Sequence, residues 1–87
     1  MKVKLDPKVK QQLVSWFKKE IETAHRLGIT AEAEELQRLL SGIGRDEFDC
    51  ARVGQVMLDA SARSTNPVEL YELISQVLIA GRAAAGC

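Results

Sequence analysis

Apolar residues recur along this chain at helical spacing, and capping residues divide them into four segments. Val9, Leu13, Trp16, Phe17, Ile21, Ala24 and Leu27 form one broad stripe on a helical wheel. Asp6 precedes the stripe as an N-cap, Pro7 suits the first helical position, and Gly28 is a good C′ stop. This punctuation predicts a first helix over 7–27. A second stripe, Ala33, Leu36, Leu39, Leu40 and Ile43, follows a tight turn. Thr30 is its expected cap, and Glu32, Glu34 and Glu35 sit where the helix dipole favours anions. Gly42 and Gly44 are expected to end this helix, over 31–41, so the first two helices should form an antiparallel hairpin. A third helix is expected over 47–63, starting near Asp46 with Asp49 in the capping-box position. A fourth is expected over 67–84, where Asn66, Pro67 and Glu69 repeat the logic of cap, N1 proline and N3 glutamate. "MKVKL" alternates apolar and basic residues, which suits a short extended arm. The fold class is therefore all-α, an up-down bundle of four helices in one domain spanning 1–87, with a basic N-terminal arm.

The apolar pattern exceeds what one core requires. In the third segment, Cys50, Val53, Met57 and Ala60 form one seam, and Phe48, Ala51, Gln55, Leu58 and Ala62 form a second. The fourth segment is broad as well, with Leu70, Leu73, Ile74, Val77, Leu78, Ala80, Gly81 and Ala84 covering about half of a 3.6-residue helix. A surface helix needs one apolar face, so two faces imply either a central helix or a second surface to meet. The expected interface uses Phe48, Ala51, Gln55, Leu58 and Ala62 together with Tyr71, Ile74 and Leu78, and its expected occupant is a second copy or another protein. Glu20 is the one polar residue central to the first helix's stripe, which makes it a candidate buried acid. An unpaired carboxylate there is costly, so it needs Arg52, Arg63 or Arg82 as a partner, or an exit to solvent at the stripe's edge.

Length and charge sharpen this picture. At 87 residues the chain buries only ~60% of its unfolded surface, so oligomerisation would be a natural supplement to stability. Net charge is zero but segregated. All six lysines lie within residues 1–19 against Asp6 alone, whereas residues 20–49 carry eight acids against Arg26, Arg38 and Arg45. Such polarity is compensated between neighbouring helices or orients an antiparallel assembly. Two cysteines without a CxxC motif, and no signal peptide or membrane-length apolar run, predict free thiols and a cytoplasmic location with no membrane partner.

Candidate chemistry is sparse. Glu22 and His25 have the Glu-x-x-His spacing of helical di-iron sites, but one such motif is present and it lies beside the apolar stripe rather than within it. A ferritin-like site completed by dimerisation, with Glu32, Glu34 or Glu35 as further ligands, is an alternative. Otherwise no metal and no cofactor are expected. With one histidine, no glycine-rich phosphate loop and no GxSxG, catalysis is not expected either. The stretch "EFDCARV", residues 47–53, resembles the "FDSL" start of helix II in acyl carrier proteins, which are also small four-helix domains. The resemblance covers a few residues, and Cys50 stands nearest the place of the serine that carries pantetheine in that family. A helix-turn-helix formed by the second and third helices around "GIGRDE" is a further alternative. Its recognition helix would open with Asp46, Glu47 and Asp49, which would face phosphates, and the net charge is neutral, so nucleic acid is a disfavoured partner. The expected function is a small non-catalytic protein-interaction module, an adaptor or regulator acting as a homodimer.

Overall fold

A computed structural model describes residues 5–63 and 67–83. Within them lie four helices: α1 (Pro7–Arg26), α2 (Thr30–Gly44), α3 (Cys50–Ser61) and α4 (Pro67–Ala83). The fold is an all-α four-helix bundle made of two hairpins. α1 packs along α2, α3 packs along α4, and α1 meets α4 over a shorter stretch. The expected arm falls largely outside the described residues, and its last residue, Leu5, packs against the core.

Local chemistry explains the element boundaries. The Asp6 carboxylate accepts from the Lys8 N–H at 2.9 Å, satisfying one of the donors that a helix start leaves without a partner. Gly28 closes the α1–α2 turn at φ +73°, in the left-handed region that glycine enters without steric cost. α2 begins at Thr30, but its N-cap is Ile29, which supplies no side-chain hydrogen bond. It runs past position 41 and through Gly42 and ends at Gly44, the second of the two glycines expected to stop it. Gly42 does not end it; the glycine there lets the α2–α3 connection pack closely against the last turn of α2. A Cβ at Gly42 would stand 2.5 Å from the Glu47 carbonyl oxygen, and the Glu47 N–H donates to the Gly42 carbonyl at 2.9 Å. α3 in turn begins later than expected. Asp46 is not a cap but a connecting residue at φ +58°, with its carboxylate 3.0 Å from the Lys10 ammonium. The cap is Asp49, which accepts from the N–H groups of Ala51 and Arg52 at 3.0 and 3.2 Å.

The core draws on all four helices: Leu13, Phe17 and Ile21 from α1, Leu36 and Ile43 from α2, Cys50, Val53 and Met57 from α3, and Leu70, Leu73, Ile74 and Val77 from α4. Each large side chain fully removed from water contributes about 1.5–3 kcal/mol. Ile74 thus belongs to the core and not to the outer surface where it was expected, since a stripe covering half a helix does not itself mark which edge turns inward. Gly54 of α3 packs against α4, where an added Cβ would lie 3.2 Å from Leu78 Cδ2.

Candidate functional site

The outer side of the α3–α4 hairpin carries most of the residues expected to form an interface. Ala51, Gln55 and Ala62 are exposed, Leu58 is 45% exposed and Tyr71 is 49% exposed. Phe48 and Leu78 are half-buried against the core, and Ile74 is buried. Two further apolar residues escaped the sequence pattern. Val68 and Ile79 are 65% and 66% exposed, more than Leu58 or Tyr71. They are eleven residues apart, about three helical turns, so they share a face. Applying the wheel to the outside of α4 as well as the inside would have found them.

Helix register joins these residues into one surface. Gly54 of α3 lies against Leu78 of α4. Counting in opposite directions along an antiparallel pair brings Ser61 level with Tyr71 and Leu58 level with Ile74. On the wheel, Leu58 lies next to Gly54 on the side away from the buried Val53 and Met57. Tyr71 lies next to Leu78 on the side away from the buried Val77. The two helices therefore turn Leu58 and Tyr71 outward on the same flank of their seam, with Val68 and Ile79 farther round α4.

The opposite flank, between α2 and α3, is ionic. Arg52 donates from Nε to Glu35 Oε1 at 2.7 Å, and its Nη2 bonds to the same oxygen. Arg63 Nη2 reaches Glu32 Oε1 at 3.4 Å. These pairs span a cleft of about 220 Å³ that also includes Leu36, Val56 and Asp59. The side chains are one-third to one-half exposed, so each pair contributes at most about 1 kcal/mol. Glu35 and Glu32 of α2 are thus paired with Arg52 of α3 and with Arg63 just beyond it, while Lys10 of α1 pairs with Asp46. The cleft is smaller than the roughly 300 Å³ at which small-molecule pockets begin, and its charges are directed at one another.

Glu20 sits beside this region. It is half-buried, next to Thr23, Ala24, Leu27, Ile29, Glu32 and Arg63 around a cavity of about 10 Å³, room for one water at most. Burial raises its pKa above the ordinary carboxylate value; the Arg63 charge lowers it and Glu32 raises it further. Of the three arginines considered as partners, Arg63 is the one that acts on it, as an electrostatic neighbour. No hydrogen bond joins the two.

The remaining candidates do not assemble a reactive centre. Glu22 and His25 are both exposed. Among the described residues, no group of three or more His, Cys, Asp or Glu side chains gathers where it could hold a metal. Cys50 is fully buried and disulfide-bonded, so the expectation of free thiols fails at this position. The chain's other cysteine, Cys87, lies outside the described residues. A buried, oxidised sulfur cannot stand in for the exposed serine that carries pantetheine in acyl carrier proteins. No helix among the described residues is long and apolar enough to cross a membrane. Comparison of the chain with models of protein families, with curated proteins and with solved structures finds no match.

Proposed function

We propose that the chain is a small non-catalytic protein–protein interaction module, an adaptor or regulator, that pairs with itself through the outer face of the α3–α4 hairpin. The observation that carries this is the distribution of exposed apolar side chains. Of six large ones, Leu58, Val68, Tyr71 and Ile79 belong to α3–α4, while Leu27 and Ile29 flank the α1–α2 turn. Scattered single hydrophobics are ordinary on a protein surface, whereas a cluster on one face favours an interaction site. The mechanism is burial of that face, with Leu58 and Tyr71 near its centre and polar residues at its rim. A cytoplasmic location was argued from free thiols. The disulfide at Cys50 removes that argument.

Light scattering over a concentration series tests the proposal. The wild-type chain is expected to be a dimer, and Leu58→Asp a folded monomer, because Leu58 is exposed and not central to the core. A dimer indifferent to Leu58→Asp contradicts the proposed face. A wild-type monomer contradicts self-pairing.

A further inference from the structure

We propose that the second copy docks antiparallel along α4, with a two-fold axis passing near Ser75. This rests on the reading of the chain as a self-pairing module, and it adds the register and the charges that set it. α4 has 17 residues, and Ser75 is its midpoint. On the wheel, Val68, Tyr71, Ser75, Ile79 and Arg82 fall within an arc of about 80°. All five are exposed. They step by three, four, four and three residues, the spacing of a helix-pairing seam. The small side chain of Ser75 at the centre lets two such seams approach.

The charges on this helix are self-complementary under that axis. Glu69 and Glu72 lie on the N-terminal half and Arg82 on the C-terminal half. All three are exposed, and none is ion-paired among the described residues, unlike Lys10, Arg52 and Arg63. An axis at Ser75 sets Tyr71 of one copy against Ile79 of the other. It brings Arg82 of one copy beside Val68 of the other, within about one helical turn of Glu72. The arginine stem then covers the valine while its guanidinium reaches Glu72, twice per dimer. A parallel pairing would instead put acids on acids and arginine on arginine, which is repulsive.

Sedimentation velocity on the full chain tests the register with wild type, Arg82→Glu, Glu72→Arg and the double variant. Arg82→Glu is expected to weaken the dimer by roughly tenfold or more, because its carboxylate then meets Glu72 of the other copy. Glu72→Arg is expected to weaken it less, and the double variant to recover affinity to within about threefold of wild type. Ser75→Cys should yield a disulfide-linked dimer on mild oxidation, while Glu34→Cys, exposed on α2, should not. In protein dilute enough to be monomeric, thermal unfolding of Arg82→Glu and Ser75→Cys unchanged from wild type establishes that they fold, since both positions are exposed. A wild-type dimer that ignores the charge reversals and does not cross-link through Ser75→Cys overturns the register alone. A monomer at every concentration overturns the self-pairing reading, and the register with it.

Discussion

The two hairpins are built from similar helices but treat their outer surfaces differently. In α1 the buried residues Leu13, Phe17, Ile21 and Ala24 follow one another at steps of four, four and three. Every exposed residue of that helix is polar, charged or the N1 proline. In α4 the buried set Leu70, Leu73, Ile74 and Val77 is equally regular, yet Val68, Tyr71 and Ile79 occupy the opposite side. Both hairpins satisfy the shared core, so core packing does not account for the second set. An amphipathic helix with one stripe is explained by the bundle to which it belongs. A helix apolar on two sides offers the second surface that the proposed pairing uses.

Predictions can break or sharpen this contrast, beginning with the core that the hairpins share. Phe17→Ala should cost about 3–5 kcal/mol, and urea unfolding followed by Trp16 fluorescence and by circular dichroism should give one coincident transition. Separate transitions would mean that the hairpins are independent, and the comparison would then be between two domains. A smaller effect separates two glycines near the C-terminal end of α2. Gly42→Ala pushes a Cβ into the Glu47 carbonyl and should destabilise by about 1–3 kcal/mol, whereas Gly44, with nothing within 4 Å, should accept alanine with a gain of up to about 1 kcal/mol. Equal effects would show that the connection does not pack on Gly42.

A pH-dependent effect follows from Glu20. Its folded pKa is raised, chiefly by burial. The folded state therefore binds this proton more tightly than the unfolded chain does. The associated stability is fully present below the unfolded pKa and is lost as pH rises through the folded one. Glu20→Gln should accordingly stabilise the protein at neutral pH by less than about 1 kcal/mol, since the group is half-exposed, and the gain should vanish in acid. Destabilisation at neutral pH would mean that the Arg63 attraction outweighs burial. The smallest effect belongs to the outer face: in dilute protein, Leu58→Asp should shift unfolding by no more than about 0.5 kcal/mol, as expected for a surface substitution.

How much of this was legible in the sequence depended on whether the signal was local. Asp6, Pro7 and Gly28 fix α1 through their own backbone chemistry, and the structure has the helix they predict, ending one residue earlier at Arg26. Gly42 misled, because a glycine needed for a close approach has the same letter as a glycine needed for a stop. Asp46 misled for a related reason: aspartate serves both as an N-cap and in left-handed turns, and Lys10, thirty-six residues away, holds it in the second role. The second seam of α3 could be listed from the sequence, and Val68 and Ile79 are legible only on the outer wheel of α4, which its inner stripe overshadows. The pairing of Glu35 with Arg52 and of Glu32 with Arg63 depends on how the hairpins meet, which no local spacing encodes.

Hydroxyl-radical footprinting at two protein concentrations tests the central claim most directly, because each hairpin acts as the other's control. Leu58, Tyr71 and Ile79 report on the outer face of α3–α4, and Leu27, 64% exposed, reports on α1–α2. Concentrating the protein should protect the first three from oxidation and leave Leu27 labelled as before. Equal labelling of all four at both concentrations, or protection centred on Leu27, would contradict self-pairing through the α3–α4 face.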